Sequence, residues 1–381
     1  MRRALILATA TVAACASSPG SSSRQLPSQA RATEDADASA RAPSDAGLDL
    51  SALRDGAPTL GDRDATLDAR AVDDPMAIQR DTKDGLLLLF PKLDAPLVAS
   101  IFFGPAGMNQ GNKAVAHHAT AQRACLEGLR DIVLQTPEQR ALCGADNMVP
   151  VWDKGGDASS AKYCIDIFEF PNKTCELPIV WTSPSEAEKV CEAEGKRLCD
   201  QDEWNLACRA DPAGGADRTY AYGNELDVTV CNTNKSRVTQ TPRCDVSSFP
   251  SMWQTCTTDT EPSGSFPKCR SRFGVFDQHG NVAEIMTRFG WDEPVYSKQA
   301  RYTQLKGSAW FYVDVEKKPW EPGGYWERYP DHCNFDPRWH VEEIAQAAHV
   351  NYHLGFRCCK PLGAANASDG GAGDRGAGDG G

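Results

Sequence analysis

Apolar residues are spread unevenly along the chain, and only the stretch from about 85 to 362 carries them densely enough to bury a core. Within it, Leu86-Leu87-Leu88-Leu89-Phe90 reads as a buried strand, and Ala114 to Leu134 has a helical apolar period with Cys125 inside it. Two helices are marked by their ends. Ser183-Pro184-Ser185-Glu186 is a capping box with proline at the first helical position, and Gly195 closes the helix that follows. Asp200-Gln201-Asp202-Glu203 repeats the cap-and-Glu pattern and leads into Trp204-Asn205-Leu206-Ala207-Cys208, which puts Cys191 and Cys208 late on two short helices. The remainder of this stretch has short apolar runs, Gly/Pro punctuation and, after Pro150, all nine tryptophans of the chain.

The two ends have a different composition. From residue 16 to 84 the chain is Ala, Ser, Asp, Arg, Pro and Gly with almost no aromatic residue, so burial cannot offset the entropy of ordering it. A flexible linker of that length reaches roughly 45 Å, at about 5–6 Å times the square root of the residue number. Residues 363–381, rich in Gly, Ala and Asp, read as a disordered tail. At the start, Met1-Arg2-Arg3 and the apolar run Ala4 to Ala14 form an export signal over residues 1–15, too short to span a bilayer. Val12-Ala13-Ala14-Cys15 resembles the lipobox of bacterial lipoproteins, which implies acylation of Cys15 and a membrane contact through that lipid alone; simple cleavage would leave Cys15 an ordinary thiol. With Ala16 rather than aspartate next, the resemblance implies the outer membrane of a Gram-negative cell.

Cysteine usage fits export. Of fifteen cysteines, setting Cys15 aside leaves an even fourteen, as expected where disulfides persist. Cys125 and Cys143 are expected to bridge to each other and fasten a small segment, 85–145, to the domain that follows at 146–362. Cys-x-x-Cys does not occur, which argues against structural zinc. The net charge of −12 is spread widely without a long Lys/Arg run in sequence, so nothing points to nucleic acid or anionic lipid as partner.

A succession of motifs carries a family resemblance. Tyr163-Cys164-Ile165-Asp166-Ile167-Phe168-Glu169-Phe170-Pro171-Asn172 opens it, followed by Pro178-Ile179-Val180-Trp181 with Glu186-Ala187. Then come Gly195-Lys196-Arg197-Leu198-Cys199-Asp200-Gln201-Asp202-Glu203-Trp204 and Tyr220-Ala221-Tyr222-Gly223-Asn224. Gly274-Val275-Phe276-Asp277-Gln278-His279-Gly280-Asn281-Val282-Ala283-Glu284, Leu305 to Trp310 and Gly355-Phe356-Arg357-Cys358 complete the order. Together they resemble the sulfatase-modifying-factor, or formylglycine-generating-enzyme, family. The resemblance implies an α+β, C-type-lectin-like fold low in regular secondary structure and stapled by disulfides.

It also implies chemistry. Calcium would be held by Asp277 and Glu284 through side chains and by Gly280 and Val282 through carbonyls, oxygen donors of the kind Ca²⁺ takes; a second family site would begin at Asn232. The family's structural bridges map onto Cys191–Cys358 and Cys208–Cys333, with Cys199 and Cys359 as additions. Oxidising members bind copper(I) through two nearby thiolates. Here Trp310 to His332 contains no cysteine and Cys333 stands alone, so copper and a catalytic residue are not expected.

His332, His340, His349 and His353 lie close in sequence, and the last two have the spacing of a helical metal pair. Leu354 to Arg357 should be the last strand, however, where positions four apart stand about 13 Å from each other. Trp310, Trp320, Tyr325, Trp326 and Trp339 would stack a ligand or fill the core. Two readings follow: a calcium-stabilised module binding a protein or glycan at the cell envelope, or a metal-dependent oxidase or non-haem iron enzyme built on those histidines.

Overall fold

The computed structural model describes residues 108–111, 115–233, 255–289, 300–311, 332–336 and 341–362, with Leu87, Pro96, Glu316–Lys317 and Trp326–Glu327 besides. The export signal, the linker, the tail, Cys15 and His340 lie outside the described residues, as does the strand expected at Leu86–Phe90 apart from Leu87, which is helical.

Between residues 115 and 233, where every residue is described, there are four α-helices. Helices α1 (Gln122–Leu129) and α2 (Pro137–Cys143) are short, α1 covering only the middle of the longer period expected from sequence. Helices α3 (Pro184–Ala193) and α4 (Gln201–Arg209) form where the caps predict them. Ser183 and Asp200 each accept an N–H of the first turn, and Glu186 and Glu203 reach back to the cap's own N–H. Gly195, at φ +67°, takes the left-handed conformation that lets the chain leave α3.

The strands are short and pair across long stretches of sequence. One antiparallel sheet has the order β1 (Met148–Val151), β2 (Tyr163–Asp166), β9 (Cys358–Pro361), β3 (Arg197–Leu198). A second has the order β5 (Arg301–Lys306), β4 (Ala283–Phe289), β8 (Leu354–Phe356), with β4 and β8 parallel. β6 (Glu316–Lys317) and β7 (Trp326–Glu327) form a separate pair. Side chains alternate across a strand, and β9 uses this to join two cores. Cys358 packs with Phe170, Ile179, Val190 and Ile285, and Cys359 with Val149, Ile165, Trp204 and Phe276.

Disulfides hold these pieces together. On β9, Cys358 bonds Cys191 of α3 and Cys359 bonds Cys199 just after β3. Cys208 at the end of α4 bonds Cys333, and Cys231 bonds Cys269. The bridge expected between Cys125 and Cys143 is corrected: Cys125 bonds Cys175 and Cys143 bonds Cys164. Each of α1 and α2 thus delivers its cysteine to the domain rather than to the other helix, so the segment is stapled at two points. Its backbone is also threaded in. Asn109 exchanges two hydrogen bonds with Val180, and Glu261 accepts the N–H groups of Ala119 and Thr120.

Candidate functional site

The Gly-Asn-Val-x-Glu turn leading into β4 is densely hydrogen-bonded. Asn281 sits at φ +61° and uses its whole amide. Its Nδ2 donates to Glu169 Oε2 at 2.6 Å and to the carbonyl of Glu261 at 3.1 Å, while its Oδ1 accepts from the Glu261 N–H and Asn232 Nδ2 at 2.7 and 2.9 Å. Gly280 has no room for a side chain, because a Cβ would stand 2.4 Å from the carbonyl oxygen of Asn232. The turn is therefore pressed against the 231–233 loop, and Asn281 ties it to three distant segments at once.

Beneath the turn lies a charge cluster shut off from solvent. Arg357 uses all five of its N–H donors. Nε and one terminal nitrogen reach Glu284 at 2.6 Å each, the carbonyls of Asp166 and Ile167 take two more at 3.1 and 3.2 Å, and that of Phe276 takes the last at 2.9 Å. Glu284 also accepts from the Trp204 indole at 2.9 Å. Nearby, Glu169 accepts the Val282 N–H at 2.9 Å and Asp277 the Gly264 N–H at 2.7 Å. Burial pushes the Glu169 carboxyl well above its usual range, and the charges of Asp277 and Glu284 add to this. Burial likewise raises Asp277 to about 7, against the Gly264 hydrogen bond and Arg357, which favour its anion. For Arg357 burial works against the charge, but Glu284, Glu169 and Asp277 together outweigh it and the guanidinium is held more firmly protonated than usual. The Gly-Lys-Arg-Leu segment is committed nearby: Lys196 pairs with buried Asp166 at 2.7 Å and Arg197 with Glu203 of α4.

This arrangement bears on calcium. The structure does bring Asn232 to the turn, but Asn232 spends its carbonyl on the Asn281 N–H and its amide on Asn281 and Asp259. Both oxygens of Glu284 are occupied by a guanidinium, a fixed positive charge where a second cation would have to sit. Asp277 is engaged with a backbone N–H and carries a raised pKa. Asp277, Gly280, Val282 and Glu284 therefore do not fit a cation site with Glu284 as a ligand, and at the second expected site Asn232 is bonded to Asn281 and Asp259. Sequence reading missed Glu169 and Asn281 as the partners that matter here. An acidic residue inside the apolar run Ile165 to Phe170 was the available signal for the first.

A second centre forms around His279. Its Nε2 accepts the Ala221 N–H at 2.9 Å and lies 3.5 Å from Cys208 Sγ. The rings of Trp204, Tyr220 and Tyr222 stand edge-on to the imidazole, with centroids 6.4, 5.7 and 5.5 Å away. Among the described residues, Cys208, His279 and Cys333 are the only His, Cys, Asp or Glu side chains that converge as metal ligands could. In the folded chain the two sulfurs are bonded to each other, so neither is a thiolate.

Among the described residues, His332, His349 and His353 do not form a group of three metal ligands. His332 lies beside Phe335, and His353 is packed among Trp310, Phe311 and Tyr352. Partial burial lowers the His349 pKa, with Glu342 opposing. Residues 349–353 are not helical, so the spacing of His349 and His353 does not place them on one helix face. Trp310 is 1% exposed and belongs to a core cluster with Val180, Trp181 and Tyr352, which makes it filling rather than a stacking platform.

Comparison with known proteins places this architecture. A sequence profile of the sulfatase-modifying factor enzyme 1-like domain matches residues 132–362. The chain belongs to that family, as an α+β domain with little regular structure and many disulfides. No curated protein matches the chain. Among solved structures, the crystal structure of CarF is similar over 56% of this chain and 93% of that one, at 14% identity and a TM-score of 0.33. The U1 variant of the major tropism determinant is similar over 57% of this chain and 53% of its own, at 10% identity and a TM-score of 0.28. Treponema denticola variable protein 1 is similar over 58% and 80%, at 12% identity and a TM-score of 0.26.

Proposed function

We propose that this protein is a family member that does not oxidise cysteine, and that it serves as a disulfide-stapled binding module, exported and held at the cell envelope by lipid on Cys15. The observation that carries the reading is the state of the cysteines. Thirteen of them are disulfide-bonded. The chain has fifteen, and the other two, Cys15 and Cys244, lie outside the described residues. Among the described residues no cysteine is left as a thiol, and copper(I) bound through two thiolates needs a pair. The cluster beneath the Gly-Asn-Val-x-Glu turn supports the same reading. Away from solvent, Glu284 is paired with Arg357, Glu169 is held by Asn281 and the Val282 N–H, and Asp277 by the Gly264 N–H, as in a structural network. Attachment through Cys15 is supported by the lipobox-like run Val12-Ala13-Ala14-Cys15.

The test uses purified full chain, copper(I), oxygen, a thiol reductant and a peptide containing Cys-x-Pro-x-Arg. The expected outcome is a peptide that keeps its cysteine, read by mass spectrometry. Oxygen-dependent conversion of that cysteine to formylglycine would overturn the reading.

A further inference from the structure

One cavity has a volume of about 710 Å³, inside the range that holds small ligands, and shares Tyr222 with the surroundings of His279. Three chain segments line it: 133–139 leading into α2, 218–230, and the turn 267–274. Its charge is the reverse of the molecule's. The chain carries 52 acidic and 40 basic side chains, yet Arg218, Lys268, Arg270 and Arg272 line the cavity and no carboxylate does. Arg272 is paired with Asp211 at 2.5 Å, a carboxylate that also favours the charge of Arg218, and Lys268 acts on Asp227. Among the described residues Arg218, Lys268 and Arg270 form no ion pair; Arg218 donates to the Ala221 carbonyl, and Arg270 lies 5.9 Å over the Phe276 ring. Desolvation and then the like charge of Arg272 lower the Arg218 pKa, and Asp211 opposes them.

The cations are held in place before any ligand arrives. The turn that carries three of them is fastened by Cys231–Cys269, by the Ser271 N–H on the Val275 carbonyl at 2.8 Å, and by the Gly274 N–H on the Ser271 carbonyl at 2.9 Å. Aromatic surface is added by Tyr222, stacked on Tyr220 with centroids 5.5 Å apart, and by Phe273, set edge-on against Trp152 at 5.0 Å. Guanidinium forks bind carboxylate and sulfate groups bidentately. None of the lining residues belongs to a β-strand, so an extended peptide would find no ladder partner there.

From this arrangement we infer that the cavity is a ligand site for an anionic oligosaccharide of a few units bearing carboxylate or sulfate groups. The inference rests on the binding-module reading and names its ligand class. Charged groups of the sugar would sit between Arg218, Lys268 and Arg270, and the sugar face would lie against Tyr222.

The test is titration of the full chain with a sulfated, uronate-containing tetrasaccharide, with its desulfated, carboxyl-reduced counterpart, and with a hexaglutamate peptide. The triple variant Arg218→Gln/Lys268→Gln/Arg270→Gln is compared with Lys154→Gln, an exposed lysine outside the cavity. The charged saccharide is expected to bind with an affinity that falls as salt rises. The neutral saccharide and the peptide should bind at least about 10-fold more weakly, one factor of ten being 1.4 kcal/mol. The triple variant should lose about 10-fold or more while melting like the parent, and Lys154→Gln should bind like the parent. Absence of saccharide binding, peptide binding as tight as saccharide binding, or an unchanged affinity in a folded triple variant would each overturn the inference. None of these outcomes alters the formylglycine assay, so the two proposals fail separately.

Discussion

Arg357 has every donor engaged and no exposed side-chain surface, so removing it would leave Glu284 ionised and unpaired in the core. Arg357→Met is expected to cost about 3–5 kcal/mol, read as a shift in the urea midpoint at constant slope. Asp277 gives a pH signature. With its carboxyl raised to about 7, the folded protein holds a proton between about 4 and 7 that the unfolded chain has released. Raising the pH through that window therefore drives unfolding, and this group's contribution to stability falls until about pH 7. Asp277→Asn, which keeps an acceptor for the Gly264 N–H, is expected to flatten that fall, measured by denaturation at pH 5 and pH 8. At this scale the motif positions could be read from sequence but their roles could not. Asp277 and Glu284 read as cation ligands because both offer oxygen. The guanidinium that occupies Glu284 comes from 73 residues away, and nothing local announces it.

Elements defined by local signals were the legible ones. Helices α3 and α4 begin where a side chain satisfies the first-turn N–H groups, a property of four consecutive residues. Ser183→Ala should cost about 0.5–2 kcal/mol in the same denaturation experiment. The sheets were not legible to the same degree. β3 and β8 have two and three residues, and β2 meets β9 across almost the whole domain, so no run of alternation is long enough to read. Helix α1 came out shorter than its apolar period because the residues before it are held as extended backbone by Asp259 and Glu261. The tight packing of the Gly-Asn-Val-x-Glu turn yields a sharper test. Gly280→Ala would drive a Cβ into the Asn232 backbone at a φ of +78°, and is expected to lower the melting temperature more than Ser183→Ala does.

For the molecule as a whole, the bridges do what regular structure does elsewhere. Cys191–Cys358 and Cys199–Cys359 span 167 and 160 residues and meet at neighbouring positions of β9, so the start and end of the domain are tied at one place. Loss of Cys191–Cys358 by the double serine variant should cost about 2–5 kcal/mol. Export and the even cysteine count pointed to a stapled fold, and the family motifs pointed to which fold. The links of Cys125 and Cys143 were misread because closeness in sequence stood in for closeness in space. Each of their helices ends against a different part of the domain, beside Cys175 or Cys164. The cationic cavity was only partly legible: Lys268, Arg270 and Arg272 stand at alternate positions of one turn, while Arg218 comes from about fifty residues earlier in the chain.

The central claim is that the cysteines are spent on structure and leave no thiol pair for oxidative chemistry. It is tested most directly by alkylating the denatured, unreduced protein, then reducing it, labelling with a second reagent, and mapping both labels by peptide mass spectrometry. The account predicts the first label on no more than one cysteine and the second on Cys208, Cys333 and the other bridged positions. The first label on two or more cysteines, above all on Cys208 together with Cys333, would contradict it.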